Sequence, residues 1–283
     1  MSDLATTTVT RGTAVEPAAA AAAPLPPAAP QPRASVIVAD TTGPADIYGV
    51  HGTAGLTHWK ALASGLDLAA GWEAVEWASV PPGGVSGEHR HTRTEEIYFV
   101  LRGSGEIVLD GVSHPVSEGW MVLTGVGTVH GLRNTGDSDL DWLVIEIRSP
   151  HTSRALHRAG RDRSGPSTRH VTKEALVNAR LHDLRTEGPV DPAGVFTGPL
   201  RRAAVETIEP GGTARLSSQG VEHTVFVLSG SGWAESGSAT VELVPGTSVT
   251  LPLGTEVRLG AAKTEGMEYF HAELAVPDRE RGL

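Results

Sequence analysis

The 283-residue chain contains no cysteine. That absence excludes disulfides, thiolate-ligated zinc and cysteine nucleophiles, so any transition metal has to be held by nitrogen and oxygen. No apolar stretch approaches the length of a membrane span. No long basic run occurs either, and Asp plus Glu (33) outnumber Lys plus Arg (23) for a formal net charge of −10, so nucleic acid is not the expected partner. Features of a secretory leader are also missing: the start carries Asp3, and the alanine run Ala18 to Ala23 is short and bounded by Pro17 and Pro24. The expected compartment is the cytoplasm.

Residues 1–34 are rich in Ala and Pro and offer too little apolar surface to order themselves, so a flexible, dispensable tail is expected there. From Val36 onward short apolar runs alternate with Gly, Pro, Asp and Ser, the pattern of an all-β sandwich or barrel. Candidate strands are Leu56 to Leu62, Trp72 to Val80, Ile97 to Leu101, Gly105 to Leu109, Trp120 to Leu123 and Trp142 to Ile147, and Asp110-Gly111 is a hairpin signal. Residues 151–190 read as a connector. Its first part, His151 to Arg169, is polar and exposed, and Thr172 to Leu181 is a candidate helix.

Chemistry concentrates between Gly83 and Asn134. His89 and His91 share one face if they lie on a strand, and their imidazoles can then converge on one point. Glu96 follows from the next turn or strand, and His130 from a glycine-punctuated turn after a second apolar run. These residues resemble the cupin superfamily. Its first motif, G-x5-H-x-H-x(3,4)-E-x6-G, fits at Gly83, His89, His91, Glu96 and Gly103; its second, G-x5-P-x-G-x2-H-x3-N, fits at Gly119, Gly127, His130 and Asn134. Gly125 stands where the family has proline, and Trp120 where an aspartate is common, but neither departure touches a ligand position.

A second copy follows. Ala204 to Gly212 echoes Ala74 to Gly84, and Phe226 to Gly230 echoes Phe99 to Gly103. The motif laid on this copy puts Ser217, Gln219 and His223 at the first three ligand positions and Val257 at the fourth, so its metal chemistry is lost and His223 is expected to be a hydrogen-bonded interior histidine, with His271 able to approach it. The chain is thus similar to a two-domain cupin, or bicupin: two β-barrels of the double-stranded β-helix (jelly-roll) type in tandem. The expected division is residues 35–150 with the working site, connector 151–190, and degenerate barrel 191–283.

The resemblance implies His89, His91, Glu96 and His130 as ligands of one divalent transition metal per chain. Fe(II) is favoured, and Mn, Ni, Co, Cu or Zn also suit three imidazoles and one carboxylate. The expected function is a metal-dependent enzyme on a small organic substrate, an Fe(II)-type oxygenase or oxidative-rearrangement enzyme of specialised metabolism; an oxygen-independent isomerase or decarboxylase and a non-catalytic small-ligand or metal-binding cupin are the alternatives. Tyr98 has the strand parity of Glu96 and is the candidate catalytic donor, a core aromatic with its hydroxyl tied to the backbone being the equal alternative. Arg133 and Asn134 could meet a substrate carboxylate, the family asparagine being usually structural, while Trp77 and Trp142 serve equally as pocket wall or core. Glu95 is expected to face outward, and the spent repeat to serve packing or a homodimer.

Overall fold

A computed structural model describes residues 35–153 and 178–277. The tail at 1–34, and the connector and candidate helix over 154–177, lie outside the described residues. In chain order the strands are β1 (Ile37–Asp40), β2 (Ala45–Tyr48), β3 (Leu56–Ser64), β4 (Trp72–Val80), β5 (Val85–Arg90), β6 (Thr94–Arg102), β7 (Ser104–Leu109), β8 (Val112–Ser117), β9 (Trp120–Thr124), β10 (Val129–Asn134) and β11 (Leu140–Arg148). After the connector come β12 (Ala179–Asp183), β13 (Leu200–Ile208), β14 (Thr213–Ser217), β15 (Val221–Gly230), β16 (Gly232–Ser236), β17 (Ala239–Leu243), β18 (Thr247–Leu251), β19 (Glu256–Ala261) and β20 (Met267–Ala275). All sheet pairings between these strands are antiparallel.

Two sheets make each barrel. The first barrel combines a seven-stranded sheet, β12-β9-β6-β11-β4-β3-β2, with a four-stranded one, β5-β10-β7-β8; the second combines β1-β18-β15-β20-β13 with β14-β19-β16-β17. Strand parity explains the sorting. In β6, Tyr98 and Val100 face the interior of the first barrel, whereas Ile97 and Phe99 face the second barrel, which buries the strand on both sides. Phe99 stacks on Phe270 of β20 at 4.6 Å between ring centroids, at the centre of an apolar layer that joins the two large sheets.

The expected boundaries are crossed at two places. Strand β1 pairs with β18 of the second barrel, through Ile37 to Thr250 and Asp40 to Thr247, and β12 pairs with β9 of the first, through Ala179 to Thr124 and Asp183 to Trp120. Residues 37–40 therefore belong with the C-terminal sheet although they precede the N-terminal barrel. Residues 179–181, expected to end a helix, are strand because β9 offers them a free edge. The hydrogen-bond register also shifts the internal repeat: Glu76 lies opposite Val144, while Glu206 lies opposite Tyr269, which matches Trp142, so Glu206 is level with Ala78 rather than with Glu76.

At the β7–β8 hairpin, Asp110 (φ 48°) and Gly111 (φ 83°) are both left-handed, as a type I′ turn requires. Asn134 pins the loops below the site: its Nδ2 donates to Val80 O (3.0 Å) and Ser138 O (2.8 Å), and its Oδ1 accepts from Gly136 N (3.0 Å). That leaves Asn134 a structural residue, and Arg133 on the same strand is exposed.

The outward-facing expectation for Glu95 is overturned. It is buried (1 % exposed) because the back of β6 is covered by the second barrel, and it accepts from Thr197 N (2.7 Å), Thr197 Oγ1 (2.8 Å) and Gly198 N (3.0 Å). Its counterpart in the repeat, Glu222, reaches the other way. That carboxylate accepts from Ala69 N, Ala70 N, Trp72 Nε1 and Leu253 N at 2.7–3.1 Å, so each barrel ties down a loop of the other.

Candidate metal centre

Strands β5, β6 and β10 bring His89, His91, Glu96 and His130 together with one donor atom from each within 4.8 Å of all the others, the only such group among the described residues. His89 lies opposite His130 in the β5–β10 ladder, which places two imidazoles side by side. Gly127 (φ 96°) allows the turn before β10, and its N–H donates to His91 O at 2.8 Å, which holds the end of β5 against that turn.

Ring orientation follows from the outer hydrogen bonds. His89 Nδ1 lies 2.9 Å from Gly87 O, a geometry that puts the proton on Nδ1, and His91 Nδ1 lies 2.7 Å from Thr94 Oγ1, whose hydroxyl is directed to Glu146. Both Nε2 atoms then carry lone pairs, yet they sit 3.0 Å apart. Glu96 Oε2 and His130 Nε2 are 2.5 Å apart and buried without an aligned hydrogen bond. The facing Nε2 lone pairs of His89 and His91 repel unless a cation lies between them, and an ion there could also replace the proton between Glu96 and His130, so the donor set fits a metal held by nitrogen and oxygen.

Burial sets the protonation. It lowers the His89 and His130 imidazoles to about 4 and lowers His91 as well, while it raises Glu96 to about 8. At pH 7 the metal-free site therefore holds neutral histidines and a protonated carboxyl. This moves the window of proton competition: free imidazole titrates near 6.5, whereas here the proton that an ion displaces at neutral pH is that of Glu96. Metal uptake near pH 6.5 should release about one proton per ion, and above pH 9.5 almost none, with affinity falling roughly tenfold per pH unit below 8. Calorimetry in buffers of different ionisation enthalpy measures this; uptake without proton release at pH 6.5 would contradict it.

A cavity of about 190 Å³ adjoins the cluster. Tyr98, buried on β6, lines it with its ring 5.3 Å from that of His130, and burial followed by the nearby Glu96 raises its hydroxyl well above the usual phenol range. Trp142 is also a wall, whereas Trp77 packs into the layer between the barrels. Three titratable residues at the cavity carry no motif signal: Glu76 on β4, Glu146 on β11 and His51 in the β2–β3 loop. Glu76 and Glu146 could have been found by parity, since Val75 and Ile145 face the other barrel. His51 could not. It has φ 52° and stacks on His89 at 3.5 Å between ring centroids, a contact that requires Gly87, where a Cβ would lie 2.4 Å from His51 O.

The second barrel holds no comparable group among the described residues. His223 Nδ1 meets His271 Nε2 at 3.0 Å, and its Nε2 lies 3.3 Å from Ser217 O; Val257 is buried among apolar side chains. Ser217 and Gln219 are exposed.

Residues 76–146 match the Cupin domain family. Over 68 residues, 24 % of this chain and 56 % of the relative, the chain is 37 % identical to Oxalate-binding protein of Thermotoga maritima, and it spans about half the length of the curated relatives it matches. The fold is similar to that of protein Ylba from E. coli, with a TM-score of 0.64 and 12 % identity over 88 % of this chain and 94 % of that one. It is also similar to salicylate 1,2-dioxygenase from Pseudoaminobacter salicylatoxidans, solved with gentisate, with a TM-score of 0.60 and 16 % identity over 87 % and 84 % of the chains. The comparisons thus place a Cupin domain at residues 76–146, within an all-β, two-barrel architecture that is bicupin-like.

Proposed function

We propose that the first barrel is a metal-dependent enzyme of oxygenase type acting on a small organic molecule, with His89, His91, Glu96 and His130 as ligands of one divalent ion, Fe(II) first among them. The convergence of three neutral imidazoles and one carboxyl group at the wall of a cavity carries this reading. Such an ion supplies Lewis acidity and, as Fe(II), activation of dioxygen. Glu96 offsets part of its charge, and the hydrogen bonds that His89 Nδ1 and His91 Nδ1 donate to Gly87 O and Thr94 Oγ1 hold two imidazoles at fixed angles. Trp59, Trp142 and Ile47 line the cavity and limit water. The fold similarity to a dioxygenase supports the oxygenase class, while the similarity to a protein named for binding oxalate favours a non-catalytic ligand-binding alternative.

Oxygen uptake by the Fe(II)-loaded chain, tested over a panel of small substrates, decides between them. Turnover in the absence of oxygen would shift the assignment to an isomerase or decarboxylase. Tyr98 is the proposed donor, its hydroxyl kept protonated by burial. Tyr98→Phe removes only that hydroxyl and should lower kcat about tenfold or more with metal content unchanged. Normal turnover with a modest stability change would leave Tyr98 a core residue.

A further inference from the structure

The chemistry of the cavity walls restricts what can enter, and this inference rests on the metal-dependent reading above. Glu76 and Glu146 line the cavity beside the cluster, and no lysine or arginine does so among the described residues. Arg93, whose field reaches Glu146, belongs to the exposed turn before β6 and is not part of the lining. With Glu76 and Glu146 ionised beside Glu96, the two positive charges of a divalent ion would be more than offset, and none is left over for an anion. In either protonation state Glu76 and Glu146 fail to supply one: ionised they repel a carboxylate, and protonated they offer only a neutral hydroxyl.

Two further groups want a partner. Trp142 Nε1 and Thr57 Oγ1 are buried without a hydrogen bond, on cavity-lining residues that are themselves 2 % and 3 % exposed. An indole N–H can only donate, and needs an oxygen acceptor; a carboxylate or carboxyl oxygen readily accepts from a hydroxyl. A ligand group that meets Trp142 must present an acceptor oxygen, and one that meets Glu76 or Glu146 does best with a hydroxyl donor. The walls supplied by Trp59, Trp142 and Tyr98 suit a flat ring, and the volume of about 190 Å³ exceeds the roughly 150 Å³ apolar cavity that accommodates benzene. We propose that the substrate is an uncharged, hydroxylated single-ring compound, and that Glu76 and Glu146 select it against carboxylates.

The test uses the full chain loaded with Mn(II) and freed of excess metal, titrated by calorimetry at pH 7 with catechol and with salicylate. These probes share one ring and an ortho pair of oxygen functions, and differ in that salicylate carries a carboxylate. Catechol should bind at least tenfold more tightly. Glu76→Gln with Glu146→Gln should narrow that preference about tenfold, measured per bound Mn(II). If salicylate bound as tightly as catechol to the wild-type chain, or if the loaded chain bound neither, the substrate class would be wrong while the metal reading stood. A chain that took up no Mn(II) would overturn the metal reading and this inference with it. The wild-type ratio decides the matter even if the double variant does not fold.

Discussion

Alanine at any one of His89, His91, Glu96 or His130 is expected to lower metal content below a tenth of the wild-type value and to remove turnover with it. Each donor lies within 4.8 Å of the other three, and losing one leaves three ligands and a gap that water must fill inside a mostly buried site. Loss of an outer-shell partner alone typically costs 10–100-fold in affinity or activity, so loss of a ligand should cost more. Elemental analysis of each variant gives the first reading and oxygen uptake the second. His223→Ala provides the contrast: its ring nitrogens are taken up by His271 and Ser217, so metal content and turnover should stay near wild type. The wild-type chain should hold one ion. Two tightly held ions per chain, or ligand variants with full activity, would refute the assignment.

The second large effect is on stability. Glu222→Ala should destabilise the fold by roughly 3–5 kcal/mol, because Ala69 N, Ala70 N, Trp72 Nε1 and Leu253 N all lose their shared acceptor in a region where the carboxylate is fully buried. Glu95→Ala removes the acceptor of Thr197 and Gly198 on the opposite side of the interface and should act in the same direction. Urea unfolding measures both. Because Glu222 is far along the chain from the metal motif, its variant should keep metal affinity per folded molecule. Destabilisation below about 0.5 kcal/mol would show that water takes over these N–H groups without cost.

Much of this was readable before any coordinates. The short apolar runs in Trp72 to Val80 and Ile97 to Leu101 mark strands whose observed ends differ by at most a few residues, and the spacing from His89 to Glu96 marks a cluster that the strands do bring together. Glu95 was misplaced for a physical reason: a single strand has two faces, and local pattern cannot say that the outer face will meet a second barrel instead of water. Strand parity does mark the face that Glu76 and Glu146 share, whereas His51 reaches the site only through loop closure over Gly87. Long-range pairing hid β1 and β12. Nothing in the sequence of Ile37–Asp40 announces Thr247–Leu251 as its neighbour.

That exchange of edge strands has a consequence during synthesis. β1 is made before either barrel, but its pairing partner β18 emerges only after the whole first barrel and most of the second, so β1 must stay unpaired until the C-terminal sheet is nearly complete. The first barrel in turn waits for β12 to cover the edge of β9. Such non-local closure slows folding, and an open β9 edge is a template for pairing with another chain. A gene cut at the connector would thus yield two halves that each lack a strand held by the other, and their recovery in soluble form should require co-expression.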